Sequence, residues 1–230
     1  MDNIIVLATG NKNKLREIQK LLEGSSLDIK TIKDFGPMPE PVEDGATFDD
    51  NAYKKALHYS KMLGLPCLAD DSGIEVAALE GRPGVYSARY AGEHATDQDN
   101  CEKLLKEMEG VEDRSAAFMC VLSLATPKGP ALTWEGRCEG ELLEAPRGES
   151  GFGYDPIFFY KEFSKTFAEV SMEEKSKVSH RGKALAEFAS EIEKVKVWLR
   201  QRMLETKPPK PDESQFMDND WSQERFEVKK

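Results

Sequence analysis

The sequence predicts an α/β protein, and three observations carry that prediction. A short apolar, β-branched run at residues 3–9 leads into an amphipathic helical pattern and then a second apolar run, the βαβ order of α/β folds. Helical and extended patterns keep recurring along the rest of the chain. Two long extended segments, residues 116–125 and 131–142, flank Pro127-Lys128-Gly129 and read as a β-hairpin.

The elements follow in order. Residues 3–9 read as a buried strand bounded by Gly10. Leu15, Ile18, Leu21 and Leu22 sit at helical spacing in the next segment, which Gly24 ends. Leu27, Ile29 and Ile32 mark a second strand. Pro37, Pro39 and Pro41 make residues 35–44 a loop. Thr47 is an N-cap with Asp50 as a short stand-in for the Glu of a capping box. Phe48, Ala52, Ala56 and Tyr59 carry that helix face to Leu63, and Gly64 stops it. Residues 67–69 form a short strand entering Asp70-Asp71-Ser72-Gly73. Thr96 starts a helix carrying Leu104, Leu105 and Met108, and Gly110 stops it. Ser171 and Glu174 form a capping box for a short helix. A last helix spans residues 181–203, with Leu185, Phe188, Ile192, Val195 and Leu199 on one face. Two units follow: a body of residues 1–203 and a polar, Pro-rich, flexible tail of residues 204–230, in which Trp221 and Phe226 are the candidate anchors.

Composition narrows the function classes. The 39% apolar content suffices for a core. The 32 Lys and Arg against 42 Asp and Glu give a net charge of −10, which argues against broad contact with nucleic-acid phosphates. No apolar run approaches the roughly 20 residues that span a membrane. Met1-Asp2-Asn3 lacks the basic start of a secretory signal. None of Cys67, Cys101, Cys120 and Cys138 forms a C-x-x-C pair, so they read as reduced thiols in a cytoplasmic protein.

Four segments carry candidate chemistry. Thr9-Gly10-Asn11-Lys12-Asn13-Lys14 sits where a strand turns into a helix. There, free amides, the helix dipole and Lys14 would attract a phosphate. An ordinary β–α turn with solvated lysines is the plain alternative. Asp70-Asp71-Ser72-Gly73 offers two carboxylates at a strand exit, a donor set suited to Mg²⁺ with substrate phosphates. On an extended segment the two Asp point to opposite faces and serve different purposes; an Asx turn is the alternative. In Ser150-Gly151-Phe152-Gly153-Tyr154-Asp155-Pro156 the glycines expose a ring on which a purine can stack, unless Phe152 belongs to the core. Lys175, His180 and Arg181 cluster cations near a helix start, against the dipole, so a ligand or acidic partner is expected to offset them. His58 and His94 show no metal-ligand spacing.

Taken in order, LATGNKNKLREI, TFDDNAYKKA, LADDSGIEV with LEGRPGVYSARYAG, GFGYDPIF and EEKSKVSHRGKAL resemble the inosine triphosphate pyrophosphatase family. The match looks closer to its bacterial-type members. The resemblance implies an elongated, two-lobed α/β fold with a long mixed sheet and the substrate in the cleft between lobes. It also implies a homodimer. The activity it implies is Mg²⁺-dependent hydrolysis of ITP, dITP and XTP to the monophosphate and pyrophosphate. By that resemblance, residues 9–14 bind the triphosphate, and Asp71 is the proton acceptor and a Mg²⁺ ligand. Glu43 is the second metal carboxylate, with Glu40 and Asp44 as neighbouring alternatives. Ser72 and Lys175 bind substrate, Phe152, Gly153, Tyr154 and Asp155 form the base pocket, and His180 with Arg181 reads the purine. Alternative readings are a pyrophosphatase for other modified nucleotides and a non-catalytic nucleotide-binding protein.

Overall fold

The computed structural model describes residues 4–24 and 26–206. Asn3, Trp221 and Phe226, and with them the expected tail from residue 207 onward, lie outside the described residues. The described residues form one seven-stranded mixed sheet flanked by six α-helices, so the α/β expectation holds.

The opening is a βαβ unit, as the pattern predicts. β1 (Ile4–Leu7) pairs in parallel with β2 (Asp28–Thr31), and α1 (Lys12–Leu22) connects them. Ile32 falls outside β2, in a 3₁₀ turn at Ile32–Phe35. α2 (Phe48–Leu63) starts at Thr47, whose Oγ1 accepts the Asp50 N–H at 3.1 Å, and closes at Gly64. β3 (Cys67–Val76) is far longer than the three residues expected, and this is a correction. Asp70-Asp71-Ser72-Gly73 is not a turn at a strand exit. Those residues pair with Leu122, Val121, Cys120 and Met119 in mid-strand, because ladder pairing satisfies a backbone that an Asx turn would have diverted.

α3 (Asp97–Glu107) follows the Thr96–Asp99 capping box. β4 (Ser115–Thr126) and β5 (Gly129–Leu142) form the predicted hairpin. β6 (Phe158–Tyr160) and β7 (Lys165–Thr166) complete the order β2-β1-β3-β4-β5-β6-β7. α4 (Met172–Val178) has the Ser171–Glu174 box. The single last helix expected at residues 181–203 is two, α5 (His180–Ser190) and α6 (Ile192–Thr206). The break falls at Glu191, whose carboxylate accepts the Trp134 indole N–H at 3.0 Å, and α6 runs on past residue 203.

Alternation along the strands sorts the core. Leu68, Leu122, Leu124 and Trp134 pack under α1, α5 and α6. Ile74, Val76, Ala116, Phe118 and Cys138 pack with Leu104 and Met108 of α3 at the other end of the same strands. Val6, Ala8, Cys67, Ala69 and Ala125 face Ala56 and Tyr59 of α2 on the opposite side. Burying these side chains contributes roughly 1.5–3 kcal/mol each for the larger ones. β1 pairs with β3 only through Cys67 and Leu68. Beyond Leu68, β3 keeps its β4 ladder but parts from β1, and Asp71, Ser72 and Gly73 line the cleft there.

Candidate active site

The cleft encloses about 300 Å³. Fourteen of the sixteen residues singled out from the sequence line it: Thr9, Gly10, Asn11, Lys14, Glu43, Asp71, Ser72, Phe152, Gly153, Tyr154, Asp155, Lys175, His180 and Arg181. Lys12 and Asn13 do not. Lys12 is exposed, and Asn13 lines a smaller neighbouring cavity. The β1–α1 turn also spends amides on itself. Asn11 is the N-cap, and its Oδ1 accepts the N–H groups of Asn13 and Lys14 at 2.9 and 3.2 Å. The Thr9 hydroxyl accepts the Asn11 N–H at 3.3 Å.

Asp70 and Asp71 do face opposite ways. Asp70 Oδ2 lies 2.9 Å from Lys14 Nζ and 3.4 Å from Arg181 Nε. Burial alone would raise the Asp70 pKa. The Lys14 and Arg181 charges outweigh it and hold the carboxyl well below the usual range, so Asp70 is a permanent anion under the cations. Asp71 turns toward α2. Its Oδ2 accepts the Asn51 amide at 3.1 Å and its Oδ1 the Ser72 N–H at 3.0 Å. Burial pushes the Asp71 carboxyl above its ordinary value, against the pull of Lys14 and Lys55 and the Asn51 hydrogen bond. A buried carboxylate with a raised pKa, set in a cleft beside cations, has the environment of a proton acceptor.

Glu43 reaches the cleft on the Pro-rich loop, which is tied down at several points. Asn51 Oδ1 accepts the Gly45 N–H at 2.7 Å, the Arg89 guanidinium donates to the Glu43 carbonyl at 3.0 Å, and His58 Nε2 meets the Pro39 carbonyl at 2.9 Å. Asp44 turns to Lys54 at 2.7 Å and does not line the cleft, whereas Glu40 does. Lys55 Nζ pairs with Glu43 at 2.9 Å and donates to the Asp70 carbonyl at 3.2 Å. Burial would lower the Lys55 pKa, yet Glu43 and Asp70 hold it above its usual value, so the ammonium persists. Among the described residues no three His, Cys, Asp or Glu side chains gather to hold a metal unaided. Glu43 and Asp71 are hard oxygen donors in one cleft. That pair fits a magnesium-type ion that takes its other ligands from water and phosphate.

The cation cluster at the start of α5 differs from expectation in one respect. Glu17, Asp70 and Asp155 of the fold itself already offset its charge. Arg181, almost fully buried, bonds Glu17 and Asp70, and its Nη2 donates to Ser72 Oγ at 2.9 Å. Lys175 Nζ lies 2.6 Å from Asp155 Oδ2 and 3.6 Å from Glu17. Phe152 packs its ring against this pair, 4.7 Å from Lys175 Nζ and 5.7 Å from the Arg181 guanidinium carbon. The ring lines the cleft and is only half-buried, so it is not a core residue. His180 stacks on Phe118 at 4.7 Å. Burial and the neighbouring Arg181 and Lys175 charges hold its pKa well below the usual value, leaving a neutral imidazole, and its Nδ1 has no hydrogen-bond partner among the described residues.

Sequence reasoning missed Asn51, Lys55 and Glu17. Asn51 and Lys55 stand one turn apart on α2 beside Ala52 and Ala56. Polar groups on a small-residue buried face were the available signal. Glu17 left none, since it reads as an ordinary surface position of α1.

Fold and site together define an α/β protein with a cleft of cations and paired carboxylates beside β3. The Ham1 family model matches residues 5–191, and the chain belongs to the Ham1 family. It is 61% identical over 219 residues to a dITP/XTP pyrophosphatase of Desulfotalea psychrophila, covering 95% of this chain and 98% of that one. It is also 61% identical over 199 residues to a dITP/XTP pyrophosphatase of Syntrophobacter fumaroxidans, covering 86% of each. Among solved structures, a HAM1 protein from Coxiella burnetii superposes with a TM-score of 0.78 at 44% identity, over 83% of this chain and 98% of that one. The relatives' names agree with the resemblance drawn from the sequence.

Proposed function

We propose that this chain hydrolyses the non-standard purine triphosphates ITP, dITP and XTP at the α–β linkage, releasing the monophosphate and pyrophosphate and clearing these nucleotides from the cellular pool. The observation that carries the reading is Asp71: a buried carboxylate, aimed by Asn51, in a cleft flanked by Lys14 and Lys55. The family relatives named as dITP/XTP pyrophosphatases support the substrate class.

Asp71 takes a proton from the attacking water as its oxygen bonds the α-phosphorus, and pyrophosphate leaves with the bridging oxygen. Lys14 and Lys55 balance the charge that accumulates on the phosphates. Glu43 and Asp71 are the residues that would hold Mg²⁺. The ion would polarise phosphate oxygens and acidify a bound water. Phe152 presents a ring to the purine, and Asp155 with Lys175 fixes the loop that carries it. The 6-oxo group common to hypoxanthine and xanthine separates them from adenine, whose 6-amino group would meet a donor with a donor. With the Arg181 fork engaged by Glu17, Asp70 and Ser72, His180 and backbone amides are the better candidates to read it. The working protein is a cytoplasmic homodimer, and no described helix is long and apolar enough to cross a membrane. Residues 1–203 are the catalytic unit.

The test is pyrophosphate release from ITP, XTP, dITP, ATP and GTP, each with Mg²⁺ and with EDTA. Fast release from the first three in Mg²⁺ alone is expected. ATP turned over as fast as ITP would refute the pocket reading, and no release from any would refute the activity.

A further inference from the structure

We infer that Asp97, the first residue of α3, is a positioning residue for the base-binding loop, holding the Gly153 amide and so fixing where Phe152 and Asp155 stand in the cleft. This rests on the nucleotide reading above.

The Gly153 N–H donates to Asp97 Oδ2 at 2.7 Å, across 56 residues of sequence. One turn further along α3, the Cys101 thiol donates to the Gly153 carbonyl at 3.4 Å. Both polar groups of one peptide residue are therefore held by one helix. Gly153 sits at φ +61°, a left-handed conformation that side chains resist. The residues on either side are pinned as well: the Phe152 N–H donates to Asp155 Oδ2 at 3.0 Å, and the Tyr154 hydroxyl to the Ser87 carbonyl at 2.8 Å. Asp155 in turn holds Lys175. The chain of contacts runs from α3 through Gly153 to the stacking ring and its cation.

Asp97 is not needed to start its helix. Thr96 Oγ1 accepts the Asp99 N–H at 3.1 Å, and Asp99 Oδ2 accepts the Thr96 N–H at 2.8 Å, so the capping box is complete without it. Asp97 is exposed and lines the cleft, so its bond to Gly153 is not a core contact. A carboxylate that accepts a backbone N–H makes a charge-assisted bond, roughly twice as strong as a neutral one. Its use here, on a loop with glycines on both sides of Phe152, is to restrict the ring's position.

The experiment compares Asp97→Ala and Asp97→Asn with wild type. It measures kcat and KM for ITP and GTP, thermal midpoint, and hydrogen exchange over residues 152–155. For Asp97→Ala we expect KM for ITP to rise about tenfold, or ~1.4 kcal/mol, with kcat nearly unchanged. The preference for ITP over GTP should shrink, and exchange at residues 152–155 should quicken. Asp97→Asn keeps an acceptor oxygen and should restore most of the KM. An Asp97→Ala protein with unchanged KM and base preference would overturn the inference, as would one that loses only thermal stability. If wild type releases no pyrophosphate from any triphosphate, the proposed function falls; quickened exchange in Asp97→Ala would then still uphold the clamp, and unchanged exchange would overturn it.

Discussion

Lys55 Nζ lies 2.9 Å from Glu43 Oε1, so the carboxylate expected to hold a metal already carries an ammonium counter-charge. The pairing keeps an acidic loop close to Asp71 when no ligand neutralises it. A divalent ion held at Glu43 in the proposed mechanism would compete with Lys55 for that carboxylate and leave the ammonium better placed to meet a phosphate. Replacing Glu43 with Gln should raise the Mg²⁺ concentration for half-maximal rate about tenfold or more, ~1.4 kcal/mol. Lys55→Met should lower kcat/KM by about a hundredfold, the scale for removing one preorganised charge partner of a reacting group. A Mg²⁺ titration of Glu43→Gln that overlays wild type would take Glu43 out of the metal site.

Asn51 should set the acid limb of the rate profile. In the proposed mechanism Asp71 is the base, so activity should appear as pH rises through its pKa, which burial holds above the ordinary 3.8. The Asn51 amide stabilises the ionised form. Asn51→Leu removes that bond, raises the Asp71 pKa further and should move the acid limb of kcat/KM to higher pH. A limb that stays in place or moves down would separate the limb from Asp71.

Adjacent aspartates should give opposite results. Asp71→Asn should abolish turnover and leave folding stability unchanged or higher, because the raised pKa marks a carboxylate whose ionisation costs the folded state. Asp70→Asn should destabilise strongly, by about 3–5 kcal/mol, by leaving Lys14 and Arg181 buried without their shared anion. Because the folded-state pKa of Asp70 is depressed, its contribution is complete above the ordinary 3.8 and fades as pH falls below it. The stability gap between wild type and Asp70→Asn, followed by denaturant unfolding, should narrow in acid. An active Asp71→Asn protein would remove that residue from the mechanism.

Gly73 should tolerate no side chain. A Cβ there would stand 2.5 Å from the Gly84 carbonyl oxygen and 2.9 Å from Ser87 Cβ. The Ser87 hydroxyl also accepts the Ile74 N–H at 2.9 Å, so the crowding breaks a buried bond. Gly73→Ala should cost about 1–3 kcal/mol in denaturant unfolding. A loss under about 0.5 kcal/mol, the scale of a neutral surface change, would mean that the Gly84 loop yields freely.

Short-range patterns were the readable part of this fold. The βαβ opening, the Thr47, Thr96 and Ser171 caps and the long hairpin all follow from spacing within a dozen residues. What was not readable depended on distant partners. The Asp-Asp-Ser-Gly stretch has turn chemistry, but β4 recruits it into a strand. The helical face of residues 181–203 is continuous in spacing, yet Trp134 meets Glu191 at the break. In the site, glycine-rich and charged blocks flagged thirteen of the fourteen cleft residues, and the family resemblance supplied Glu43. Glu17 stayed hidden, because only folding brings it to Arg181 and Lys175.

Four of the cations that line the cleft are spoken for. Lys14, Lys55, Lys175 and Arg181 are paired with Asp70, Glu43, Asp155 and Glu17 respectively. A polyanion arriving here meets ion pairs, not bare positive charge, and enters by exchanging partners with carboxylates of the fold. With a net charge of −10 over the whole chain, the protein has little long-range pull on nucleic-acid phosphates. The salt dependence of triphosphate binding should accordingly be shallower than four cations would give if they stood free. For the nucleotide proposed as substrate, these carboxylates would set the condition of entry: its phosphate chain binds by taking their place at the lysines.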